Sequence, residues 1–78
     1  MRPFMHTINE LYQNELSLIE MFELTGDLGC SGRLDSGPYG YQYSIFDHLG
    51  KLKYFSVHTD AYFAMHKALR QLLAMENV

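Results

Sequence analysis

Tryptophan is absent from this chain, cysteine occurs once, proline twice, and lysine and arginine together number six against nine carboxylates. Each shortage excludes something. With Cys30 alone there is no internal disulfide framework of the kind that staples small secreted domains, which points to a reducing, cytoplasmic setting. No apolar run approaches the ~20 residues of a membrane-spanning helix, and Met1 to His6 form no apolar core ahead of Asn9 and Glu10, so neither a membrane span nor a signal peptide is expected. The shortage of cations is also local: no lysine or arginine lies between Pro3 and Gly32. Two arginines against six carboxylates give residues 1–38 a net charge of −4, while residues 39–78 carry +1. The first helix should therefore present an acidic outer face, Glu10, Glu20 and Glu23 among its members.

The chemistry-bearing patterns are missing too. His6, His48, His58, His66 and Cys30 show no Cys-x-x-Cys pair and no helical i, i+4 pair, so no metal site is expected. Neither Gly-x-x-x-x-Gly-Lys nor Gly-x-Gly-x-x-Gly occurs, which removes the phosphate cradles, and no nucleophile stands beside a recognisable base. The expectation is a protein that is not an enzyme and uses no cofactor.

What is present is apolar surface in a regular arrangement. A composition of 47% hydrophobic and 14% aromatic residues over 78 positions argues for one folded domain. Thr7-Ile8-Asn9-Glu10 reads as a capping box that opens a helix, with Ile8, Leu11, Tyr12, Leu16, Leu18, Ile19 and Phe22 gathered in a stripe of roughly 160°. Glu15 falls inside that stripe, where a carboxylate is costly to bury, and its role stays open. Gly26 suits the left-handed position that ends the helix. The glycine-rich residues 28–40 read as a loop, or as a short edge strand around Arg33 and Leu34.

From Tyr39 the period becomes two, and Asp47-His48-Leu49-Gly50 reads as a type I turn with Gly50 in the left-handed bulge position. Pairing Asp47 with Lys51 then sets Phe46 opposite Leu52, Tyr43 opposite Phe55 and Tyr41 opposite Val57. Tyr41, Tyr43, Ile45, Phe55 and Val57 form the expected core face; Phe46, Leu52 and Tyr54 form the open one. Thr59 and Asp60 can each cap a second helix running to about Met75, with Ala61, Tyr62, Met65, Ala68, Leu69, Leu72 and Leu73 inward and Phe63, His66, Lys67, Arg70 and Ala74 outward.

The fold expected is α+β: an antiparallel hairpin or three-stranded meander with an N-terminal and a C-terminal helix on one face, in the order α-β-β-(β)-α. Gly37-Pro38, the two strands that follow, and residues 61–75 with Ala64, Ala68 and Leu69 resemble a double-stranded-RNA-binding domain. That resemblance implies the alternative function, direct nucleic-acid binding, here through Lys51, Lys53, Lys67 and Arg70. Where the family has a lysine cluster at the start of its last helix, this chain reads Thr59-Asp60-Ala61-Tyr62, and the acidic first helix would repel phosphates, so nucleic acid is not the expected partner.

The expected function is a small intracellular binding protein, acting through protein contacts as a regulator, adaptor or inhibitor, including inhibition of a nucleic-acid-processing complex of the mobile-element type. Two surfaces are candidates. One is acidic, with Glu10, Glu20 and Glu23, suited to a basic partner surface. The other is apolar, with Phe46, Leu52 and Tyr54, joined by Phe63 and Arg70 on the second helix. An open sheet face in so small a domain also suits a homodimer.

Overall fold

The structure, a computed structural model, describes residues 16–76. Helix α1 (Leu18–Asp27) is followed by strands β1 (Ser31–Gly37), β2 (Gly40–Phe46) and β3 (Leu52–His58) and by helix α2 (Ala61–Glu76). The strands form one antiparallel sheet in the order β1-β2-β3. Both helices pack on the same face of it, and the glycine-rich stretch supplies the third strand of the expected α+β fold.

Local sequence explains the ends of these elements, though α1 begins later than its apolar pattern suggested. The Ser17 hydroxyl accepts from the Glu20 N–H and the Glu20 carboxylate accepts from the Ser17 N–H at 2.8 Å, a capping box that starts the helix at Leu18. A helix running unbroken from Thr7 into Phe22 is thereby excluded, because Ser17 is extended; the proposed Thr7 box, Glu10 and Glu15 lie outside the described residues. At the other end Gly29, not Gly26, takes the left-handed position, with φ of 81°. The Cys30 N–H reaches the Thr25 carbonyl and the Gly29 N–H the Gly26 carbonyl, the paired bonds of a Schellman ending. For α2, the Asp60 carboxylate accepts from the Tyr62 N–H at 2.8 Å, so of the two candidate caps Asp60 is the one used.

The buried face of α1 also differs from the one expected. Met21, Leu24 and Thr25 are fully buried, whereas Leu18, Ile19 and Phe22, expected in the core, remain exposed, Ile19 by 72%. On α2, Ala64, Met65, Ala68, Leu69, Leu72 and Leu73 are buried as one stripe, close to expectation. His66 joins them, against the outward position expected, and stacks on Tyr62 with ring centres 5.8 Å apart.

The β2–β3 turn forms as the sequence implies. The Asp47 N–H donates to the Lys51 carbonyl, Gly50 has φ of 84°, and the Asp47 carboxylate accepts from the Leu49 and Lys51 N–H groups, each at 2.9 Å. Those backbone bonds hold its pKa below the usual carboxylate value. Phe46 pairs with Leu52 as expected, and then the register slips. Ile45 pairs with Tyr54, Ser44 with Phe55, Tyr43 with Ser56 and Gln42 with Val57, which leaves Lys53 as an extra residue in a bulge. One inserted residue exchanges the two faces of β3 beyond it. Tyr54 packs against the core instead of facing solvent, and Phe55 and Val57 leave the core for the open face. Tyr41 keeps its inner register but lies near the end of the sheet and stays partly exposed.

Tyr43 is the centre of the packed face. Its hydroxyl lies 2.7 Å from the Thr25 hydroxyl, which donates its own proton to the Met21 carbonyl at 2.9 Å, so Tyr43 is the donor between the two. Phe22 meets the ring edge-on at 5.4 Å between centroids. The ring lies over Gly32: a Cβ at that position would fall inside the Tyr43 phenol group. Gly32→Ala is therefore expected to cost ~1–3 kcal/mol in a urea titration through overpacking, while Gly37→Ala, where a Cβ meets nothing within 4 Å, changes little.

Burial raises the Tyr43 pKa above its ordinary value of 10.0, with Cys30 adding to the shift. The folded state then keeps a proton that the unfolded state loses, so this contribution is whole below pH 10 and stability falls as pH rises above it. Tyr43→Phe is expected to shrink the loss of urea midpoint between pH 8 and alkaline pH.

Candidate binding face

With α1 and α2 on one side, the opposite face of the sheet carries Ser31, Arg33 and Asp35 from β1, Gln42, Ser44 and Phe46 from β2, and Leu52, Phe55 and Val57 from β3. No helix or strand among the described residues covers it. Pairing arranges these side chains in rows across the sheet: Ser31–Phe46–Leu52, Arg33–Ser44–Phe55 and Asp35–Gln42–Val57. The rows are polar at β1 and apolar at β3. Arg33 and Asp35 form an ion pair at 3.1 Å, and the Gln42 amide donates to the Ser44 hydroxyl at 3.1 Å. At the other edge Leu52, Phe55 and Val57 remain 52%, 51% and 47% exposed.

The bulge at Lys53 creates this gradient. Without it Tyr54 and Ser56 would face solvent; with it two large apolar side chains do, and Ser56 is buried beneath α2 beside Tyr43. The Ser56 hydroxyl has no hydrogen-bond partner among the described residues.

The residues expected to bind are thus separated. Phe46 and Leu52 do share the open face, whereas Tyr54 lies on the opposite side. Phe63 is 47% exposed on α2, where its ring contacts His58 and Tyr62 at 5.3 Å each, away from that patch. Arg70 is exposed on α2 and, with Lys67, Gln71 and Ala74, borders a shallow depression of about 360 Å³. Glu20 is engaged in the cap of α1, Glu23 is exposed on that helix, and Glu10 lies outside the described residues. Sequence periodicity missed Phe55 and Val57 because their alternation is the same in either register.

The four cations of the nucleic-acid alternative are brought together only in pairs. Lys51 and Lys53 belong to the β2–β3 turn and the bulge, and Lys67 and Arg70 to the side of α2 turned away from the core. Among the described residues no group of three or more His, Cys, Asp or Glu side chains could hold a metal ion. None of the helices is long and apolar enough to cross a membrane among the described residues. A depression of about 270 Å³ beside the β1–β2 turn is lined chiefly by Tyr39, Tyr41, Pro38, Gln42 and Val57. No family model matches the chain, and comparisons with curated proteins and with solved structures give no match.

Because Glu20 closes the capping box, Glu20→Lys is expected to lower stability by ~1 kcal/mol. Loss of capture of a basic partner by that variant alone would therefore not identify an acidic binding strip; thermal melting of Ser17→Ala, expected to show a similar loss, separates the two causes.

Proposed function

We propose that this chain is a small non-enzymatic binding protein that works through protein–protein contacts, as a regulator, adaptor or inhibitor, and that the β3 side of its open sheet face is the contact surface. The observation that carries this reading is the row of half-exposed Leu52, Phe55 and Val57 at a strand edge that nothing among the described residues covers or pairs. Aromatic and aliphatic groups held on a rigid sheet lose little conformational freedom on docking, which favours binding. The polar β1 side, with its Arg33–Asp35 pair, then forms the rim.

A second reading has its own support. Three strands between two helices complete the order that the resemblance to double-stranded-RNA-binding domains implies. In that reading Lys67 and Arg70, or Lys51 and Lys53, contact phosphates, and affinity falls steeply with salt.

Substitution distinguishes them. Phe55→Lys with Leu52→Lys should leave the melting temperature close to wild type, both side chains being half-exposed, and reduce capture of a protein partner at least tenfold. Under the second reading the same variant gains affinity for RNA at low salt, and Lys67→Glu with Arg70→Glu removes it. Partner capture unchanged by Phe55→Lys and Leu52→Lys would overturn the first reading.

A further inference from the structure

The geometry points to a second copy of this chain as the partner at the β3 edge of that face, joined through antiparallel β3–β3 pairing about a two-fold axis at Ser56. This rests on the binding-face reading above and names its partner.

The two edges of the sheet differ in what they present. The β1 edge bears the Arg33–Asp35 pair, two glycines within the strand and Pro38 directly after it, features that discourage strand addition. The β3 edge has its one charged residue, Lys53, in the bulge, and the bulge ends the regular strand there. From Tyr54 to His58 the strand is regular and carries no carboxylate, lysine or arginine.

Antiparallel pairing of that stretch with itself is self-complementary. With Ser56 on the axis, Phe55 lies opposite Val57 of the second copy and Val57 opposite its Phe55, so the two half-exposed rows merge into one four-residue apolar cluster. Tyr54 falls opposite His58 of the second copy on the helix side. No like charges meet, which matters for two copies that each carry a net charge of −3. The three-stranded sheets become one sheet of six strands, and both exposed β3 edges disappear.

Size sets the expected strength. Five residues of strand make a strip ~17 Å long and the sheet is ~10 Å thick, so the total area buried is well under the ~1,600 Å² of a standard interface. The dimer is therefore a reversible one of micromolar or weaker affinity between copies that fold on their own.

Sedimentation equilibrium of the full chain from 10 µM to 1 mM tests this. The mean mass should climb from the 9.1 kDa monomer towards twice that value, and Val57→Lys should hold it at the monomer with the melting temperature unchanged. A register test uses Cys30→Ser as background: when Phe55→Cys and Val57→Cys chains are mixed and oxidised, the mixed disulfide should exceed both symmetric ones severalfold. A monomer at every concentration, or symmetric disulfides in equal yield, overturns the inference. If the wild type stays monomeric while Phe55→Lys still abolishes capture of another protein, the second copy is excluded and the binding face stands. If Phe55→Lys changes neither mass nor capture, both fall.

Discussion

The buried contact among Tyr43, Thr25 and Gly32 is the constraint on which the rest of the structure depends. One phenol joins three elements: it stands on β2, donates to a hydroxyl of α1, and passes over Gly32 of β1, which has no side chain to obstruct it. The Thr25 proton is committed to the Met21 carbonyl, so the direction of the bond to Tyr43 follows. A buried hydroxyl left without a partner costs ~1–3 kcal/mol, and that cost makes the docking of α1 on the sheet specific rather than merely apolar.

From that centre the arrangement of the open face follows. Tyr43 occupies the space beneath the helices, and Ser56 is the β3 residue opposite it. A small side chain there takes less volume than the phenylalanine expected at that place, in a core that already holds Ala64, Met65, Ala68 and Leu69. Placing Ser56 inward requires Phe55 and Val57 outward. The exposed apolar edge is thus tied to the packing of the core, and the same one-residue bulge produces both.

The candidate surface inherits its character from this exchange. Its polar half is satisfied within itself, by the Arg33–Asp35 pair and the Gln42–Ser44 bond, while its apolar half has no such internal partners. Cations that would serve nucleic acid are divided between the sheet end and the outer side of α2, and the acidic residue central to the alternative strip, Glu20, is committed to a helix cap. The proposed contact through β3 would use the groups that the fold leaves over.

Much of this was legible in the chain alone, wherever the signal is local. The Asp47–Gly50 turn, the Asp60 cap, the inward stripe of α2 and the α+β class follow from short-range chemistry: a carboxylate beside backbone N–H groups, a glycine at positive φ, apolar residues at helical spacing. Two further local signals lie in the chain. Ser17-Leu18-Ile19-Glu20 matches the capping-box pattern as well as Thr7-Ile8-Asn9-Glu10 does, and Gly29 completes the helix ending expected at Gly26. The faces of β3 are another matter. Tyr54, Phe55, Ser56 and Val57 satisfy a two-residue period in either register, and no residue in the strand marks Lys53 as the extra one. Only volume decides, in the space between Tyr43 and α2, and that space exists only once the helices are docked.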